Sequence, residues 1–92
     1  MKINEEDLID LVGNKLYQFF QIDNELLARI NASTNLINTF KLNRNQIEFL
    51  LNEIEIHFKV KFSISDISLL TLNVIFNEII NYRHIKIKNL VI

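Results

Sequence analysis

The segment from Ile47 to Phe58 carries the strongest structural signal in the chain. Five of its apolar residues fall at positions i, i+3, i+4, i+7 and i+11, as one face of an α-helix requires: Ile47, Leu50, Leu51, Ile54 and Phe58. The chain has no proline and one glycine, although the tight turns of a small β-rich domain favour both residues. The sequence therefore predicts an all-α fold, a small helical bundle in which this segment forms one main helix.

Two further segments show the same period. Asn4 and the three acidic residues after it predict the start of a first helix. An asparagine side chain can accept a hydrogen bond from a free backbone amide of the first turn, and acidic side chains are stabilised near the positive end of the helix dipole. The apolar face of that helix comprises Leu8, Leu11, Val12, Leu16, Phe19 and Phe20. Thr71 is a capping residue for a last helix, whose face comprises Leu72, Ile75, Phe76, Ile79 and Ile80. Three main helices are thus predicted.

The remaining segments are shorter. A short turn of helix is expected over residues 25–30, followed by the polar linker 31–35, and an irregular piece over 59–68 offers Phe62, Ile64 and Ile67 for packing. At the head of the middle helix, Asn45 and Glu48 have the spacing of a capping box. We expect residues 1–82 to form the bundle and residues 83–92 a basic tail, in which the alternation over 85–88 is typical of a strand.

Composition excludes several classes of protein. The chain has no cysteine, so it has neither a disulfide framework nor thiolate chemistry, and a cytoplasmic location is expected. No apolar run reaches the ~20 residues of a membrane span, and no signal-peptide pattern opens the chain. The net charge of −1 favours no nucleic-acid partner. Three basic side chains in the tail give only thin support for such a partner: Arg83, Lys86 and Lys88.

Residues with catalytic or metal-binding chemistry are sparse. His57 and His84 lie far apart in sequence and have no companions at metal-ligand spacing, so no metal site is expected. The acids near the N-terminus are interpreted as a helix start, because nothing marks a pocket around them. No catalytic triad pattern and no glycine-rich phosphate loop is evident. The sequence predicts a protein that is not an enzyme.

The order and spacing of the apolar residues resemble those of the acyl carrier protein family. The positions that match without a gap are Leu36, Phe40, Leu50, Leu51, Ile54, Phe58 and Phe62. Residues 30–36 are similar to the polar segment leading into the family's φ-x-x-D-L-G-x-D-S-L signature, and residues 69–79 resemble its closing helix after a one-residue deletion. The match covers about residues 30–82, and the first helix, with Gly13, extends it. The resemblance implies an acyl-carrier-like bundle of three main helices plus one short helix.

The family's attachment serine is missing from the matching position. In the family this serine stands in an Asp-Ser-Leu triplet at the head of the second helix and carries 4′-phosphopantetheine. The triplet falls on Asn43, Arg44 and Asn45, and the preceding Asp-Leu-Gly falls on residues 39–41, Thr-Phe-Lys. An arginine cannot carry this group, so no cofactor is expected. The alternative is a working carrier modified on another serine, for which Ser68 is the candidate.

The resemblance also directs attention to the outer surface of the middle helix. Phe49 and Ile56 align with positions that are usually acidic in carriers, where partner enzymes dock. They indicate a more hydrophobic contact, with a homodimer or a dedicated partner. The alternative is that the longer first loop, with Phe19, Phe20 and Ile22, covers them. Arg44 offers either a site for a phosphate or a partner carboxylate at a helix start, or a solvated side chain.

These observations define three hypotheses. The first is a non-catalytic, partner-binding protein like an acyl carrier, with Arg44, Phe49 and Ile56 in the binding surface and a place in fatty acid, polyketide or peptide biosynthesis. Its partner would be a biosynthetic enzyme or a second copy of the chain. The second is the working carrier modified on Ser68. The third is a structural or regulatory homodimer module that shares only the bundle.

Overall fold

The computed structural model describes residues 4–64 and 66–90, with the side chains of residues 85–90 left out of the description. Within them the chain is helical, as predicted. The elements are α1 (Glu5–Phe20), α2 (Asn24–Leu27), α3 (Leu36–Phe40), α4 (Arg44–Phe58), a 3₁₀ turn (Ile67–Leu69) and α5 (Leu72–Leu90). The three long helices correspond to the three predicted from the apolar period. None of the helices in this part of the chain has the length and apolarity that a membrane span needs.

The apolar faces of the long helices form one core. Helix α1 packs against both α4 and α5. The predicted faces supply most of the buried side chains, which are Leu8, Val12, Leu16, Ile47, Leu50, Ile54, Phe58, Leu72, Ile75 and Ile79. Phe62, Ile64 and Ile67 pack against this core as expected, half-buried. Burial of this apolar surface is the main force that holds a chain of this size together.

The start of α3 is joined to the start of α5 by backbone hydrogen bonds. Asn35 and Thr71 form an isolated antiparallel bridge, in which the Leu36 amide donates to the Leu70 carbonyl at 3.0 Å. The Asn35 side-chain amide also donates to the Ser68 carbonyl at 3.0 Å. Leu70 is fully buried beside this bridge. Segments more than thirty positions apart are therefore fixed to each other at the starts of α3 and α5.

Both ends of α1 and the start of α5 follow from local chemistry. Asn4 caps α1 as predicted, because its side chain accepts from the Asp7 amide at 2.9 Å and the Asp7 carboxylate accepts from the Asn4 amide at 3.5 Å. Gln21 ends α1 in the left-handed conformation. The Thr71 hydroxyl accepts from the Val74 amide at 3.2 Å, as expected of the cap of α5.

Three predictions about local structure are wrong. Residues 85–88 continue helix α5 to Leu90 instead of forming a strand. Once a helix has formed, each residue added to its end gains one backbone hydrogen bond for one residue that loses its conformational freedom, so extending α5 is favoured. The short helix after α1 covers Asn24–Leu27, earlier than expected, because Asp23 caps it. Asn35 is the cap of α3 instead of the end of a linker. Since α5 crosses residues 82 and 83, and residues 91 and 92 lie outside the described part, the division into bundle and tail stays a prediction.

Candidate partner-binding site

The corner between α3 and α4 sets up the head of α4. Lys41 ends α3 in the left-handed conformation, with φ 56°, and its amide donates to the Ile37 carbonyl at 2.8 Å. Leu42 then turns into the core, and Asn43 takes the extended conformation of an N-cap. Three residues thus connect α3 to α4, and the first two residues of α4 are exposed.

Asn43, and not Asn45, caps α4. The Asn43 side chain accepts from the Gln46 amide at 2.8 Å, while the Gln46 side chain accepts from the Asn43 amide at 2.9 Å. The capping box predicted for Asn45 and Glu48 is therefore wrong by two residues. Leu42 and Ile47 stand at the two positions of a hydrophobic staple and both are buried, which fixes the entry of the chain into the helix at Asn43.

Arg44 is the first residue of α4 and extends into solvent. Its side chain is 71% exposed, and its Nε atom lies 3.3 Å from Oε1 of Glu48, one turn later in the helix. An exposed pair of this spacing contributes about 0.3–0.5 kcal/mol. The side chain is therefore accessible, and its charge is balanced within the helix. The expectation that Arg44 binds an external anion stays a prediction.

Phe49 lies five residues beyond Arg44 in α4, against an aromatic group from α1. Its ring meets those of Phe19 and Phe20 edge to face, with centroid separations of 5.0 and 5.8 Å. The ammonium group of Lys15 lies 5.4 Å from the centroid of Phe19 and bridges to Glu53 at 3.1 Å. Phe49 remains 37% exposed. The end of α1 thus covers Phe49 in part.

Ile56 has no such cover. It is 64% exposed on the outer surface of α4, two turns beyond Phe49. The two apolar residues predicted on this surface are therefore on the same side of α4, and neither is fully buried. The hypothesis that Phe19, Phe20 and Ile22 bury both residues is wrong for Ile56, because the aromatic pair reaches only the level of Phe49.

Ser68 lies in a different environment. It is exposed in the 3₁₀ turn, and its hydroxyl donates to Oδ1 of Asp66 at 2.6 Å, as does its amide at 3.0 Å. These two hydrogen bonds, that of the hydroxyl first, hold the pKa of Asp66 below its usual value. The hydroxyl therefore supports the local turn, and α5 begins four positions later, at Leu72.

The two histidines set aside on sequence grounds lie on different helices. His57 is exposed in the last turn of α4 and His84 is exposed in α5. In residues 4–64 and 66–84 no three acidic, histidine or cysteine side chains come close enough to hold a metal ion.

Sequence reasoning missed two members of the outer surface of α4. Asn45 and Asn52 are exposed on the same side as Phe49 and Ile56. Their positions follow from the 100° turn per residue once the buried face is known, because they lie opposite Ile47, Leu50 and Ile54. The signal was therefore present in the helical period.

Searches against protein-family models, curated proteins and solved structures find no match to this chain.

Proposed function

We propose that this chain is a non-catalytic, partner-binding protein of the acyl-carrier type that does not carry phosphopantetheine. The observation that carries the proposal is the position of Arg44. It is the first residue of α4 and is exposed, at the point where the resemblance has the modified serine. A guanidinium group cannot form the phosphodiester that a serine hydroxyl forms, so the attachment chemistry is absent from this position.

The backbone around Arg44 supports the resemblance. Lys41 stands where the family signature has glycine, and its φ of 56° is a conformation that glycine adopts without the cost borne by other residues. Asn43 stands where the signature has aspartate, and it is the N-cap, a position at which aspartate and asparagine are equally effective. The geometry of the signature is thus compatible with this corner although its residues differ.

The partner-binding surface of the proposal consists of Arg44, Phe49 and Ile56. Phe49 and Ile56 present apolar area where the carriers of the family usually present acids, and Arg44 adds a cation paired with Glu48. Such a surface favours a partner that contributes apolar contacts over one with a strongly basic patch. We place this partner in fatty acid, polyketide or peptide biosynthesis in the cytoplasm.

The proposal is tested by restoring the lost triplet. We expect the variant Asn43→Asp, Arg44→Ser, Asn45→Leu to gain one phosphopantetheine group when it is co-expressed with a phosphopantetheinyl transferase of broad specificity, as measured by intact mass. Aspartate retains the cap and residues 44 and 45 are exposed, so the variant should fold.

The matched control carries alanine at residue 44 and the same changes at residues 43 and 45. It should remain unmodified, which assigns the added mass to the new serine. A folded triplet variant that gains no mass would count against the carrier-like scaffold, because the transferase then fails to recognise it.

A further inference from the structure

A groove open to solvent lies between α1 and the short helix that follows it. One wall is the side of α1 that carries Gly13, and the other wall belongs to residues 24–30. The groove has a volume of about 410 Å³, and pockets for small molecules measure about 300–1,000 Å³. Arg44, Phe49 and Ile56 do not line it, so the groove is separate from the surface proposed for a protein partner.

Gly13, the only glycine of the chain, lies on the α1 wall. A glycine inside a helix destabilises it relative to alanine, because glycine loses more conformational freedom on folding. The packing does not require it, since the nearest atom that a Cβ would meet beyond its own stretch of helix is Cδ1 of Ile30, at 3.9 Å. Both residues line the groove, so that Cβ would project into it. The glycine therefore leaves space in the groove although it weakens α1.

The lining of the groove combines apolar and polar side chains. Its apolar members include three half-buried side chains, which are Ile9, Leu27 and Ile30. Its polar members are exposed and form no hydrogen bond or ion pair through their side chains within the described part of the chain; they are Asp10, Asn14, Tyr17 and Asn24. The groove therefore offers apolar contact beside donors and acceptors that are free to bind a ligand.

The charge around the groove is negative. Residues 4–30, which include both walls, carry six acidic side chains and two basic ones, Lys15 and Arg29. Lys15 is bridged to Glu53 of α4 at 3.1 Å. Asp10 lies in the lining itself, and Asp23 and Glu25 flank Asn24 on the second wall. An excess of carboxylates at a concave surface attracts a cation.

We propose that this groove binds a small organic amine, a molecule with a protonated amino group and an apolar body. Asp10 accepts hydrogen bonds from the ammonium group, which a charged acceptor strengthens. Asp10 and Gly13 lie three positions apart on one side of α1, so the apolar body of the same molecule lies over Gly13, against Leu27 and Ile30. The site is independent of the proposed partner-binding function.

The test is a titration of the full chain with 2-phenylethylamine, followed by the backbone amide signals in NMR spectra. We expect saturable shifts at Asp10, Gly13 and Ala28, with a dissociation constant in the millimolar range that is ordinary for so small a ligand. The matched probe is 3-phenylpropanoate, which has the same ring and linker but a carboxylate. It should bind at least about tenfold more weakly.

Two variants locate the bound amine. Asp10→Asn should weaken binding about fivefold or more, because it removes the charge that faces the ammonium group. Gly13→Ala should weaken binding by a similar factor, because its methyl group occupies the space of the apolar body, while it makes the fold more stable. Loss of binding in this variant is therefore not a result of unfolding. Asp66→Asn is the matched control, because Asp66 is exposed outside the groove and asparagine still accepts from the Ser68 amide.

The amide spectrum of each variant shows that it is folded. The absence of saturable shifts with 2-phenylethylamine would overturn the proposal, and equal binding of 3-phenylpropanoate would overturn the preference for a cation. Binding that is unchanged in Gly13→Ala and Asp10→Asn, or weakened equally by Asp66→Asn, would overturn the assignment to this groove.

Discussion

Gly13 lies in the middle of α1 although nothing in its surroundings requires a glycine. A Cβ atom built on it would lie 3.9 Å from Cδ1 of Ile30, which is ordinary van der Waals contact. Glycine costs about 1 kcal/mol relative to alanine within a helix. We therefore expect Gly13→Ala to raise the free energy of unfolding by about 1 kcal/mol, as measured by urea denaturation. A lower stability would show that α1 and Ile30 pack too tightly here for a methyl group.

Asp66 gives the 3₁₀ turn a dependence on pH. Hydrogen bonds from the Ser68 hydroxyl and amide lower the pKa of Asp66 in the folded state, so they stabilise the turn above the pKa of the unfolded chain. This contribution is lost as the pH falls through the lowered pKa. Ser68→Ala should raise the pKa of Asp66, as followed by an NMR titration of its carboxyl carbon. An unchanged titration would contradict the hydrogen bond from the hydroxyl.

At the scale of helices, the apolar period predicted α1, α4 and α5 because each buries one face in the same core. The period did not locate the start of α4, since Asn43 and Asn45 are both good capping residues and the local pattern does not rank them. The staple of Leu42 and Ile47 decides between them, and it depends on where Leu42 enters the core. Helix α3 was also missed, because its five residues are too few to show a helical period.

The corrected cap of α4 is tested by a pair of substitutions. Asn43→Ala should lower the free energy of unfolding by about 1 kcal/mol, since it removes the acceptor for the Gln46 amide and half of the capping box. Asn45→Ala is the control, and it should change stability by less than about 0.5 kcal/mol because Asn45 is exposed within the first turn. Urea denaturation of both variants decides. A larger loss of unfolding free energy for Asn45→Ala than for Asn43→Ala would show that Asn45 is the N-cap.

At the scale of the whole molecule, the core is completed by residues that no helical period marks. Leu42, Val60 and Leu70 are buried outside the long helices, because connections that cross the core must cover it. The candidate surface was predicted in part, since Phe49 and Ile56 stood out as apolar residues on an outer face. The sequence could not predict that Phe49 is partly covered and Ile56 is not, because this difference depends on how far the end of α1 extends along α4.

Substitutions at the neighbouring residues Leu70 and Leu69 test where the hydrophobic core ends. Leu70 is fully buried where the segments before α3 and α5 meet, while Leu69 is 68% exposed. Leu70→Ala should lower the free energy of unfolding by about 2–5 kcal/mol, because it removes buried apolar area and leaves a cavity. Leu69→Ala should cost less than about 0.5 kcal/mol by the same denaturation assay. Equal losses would contradict the position of the core boundary.

The absence of phosphopantetheine from the unmodified sequence is the central claim, and intact mass tests it most directly. The wild-type chain is co-expressed with the broad-specificity transferase, and the triplet variant shows in parallel that the transferase is active. We predict that the wild-type chain retains the mass of its sequence, since Arg44 occupies the attachment position. A gain of one phosphopantetheine group on the wild-type chain, mapped by peptide analysis to Ser68 or any other serine, would contradict the account.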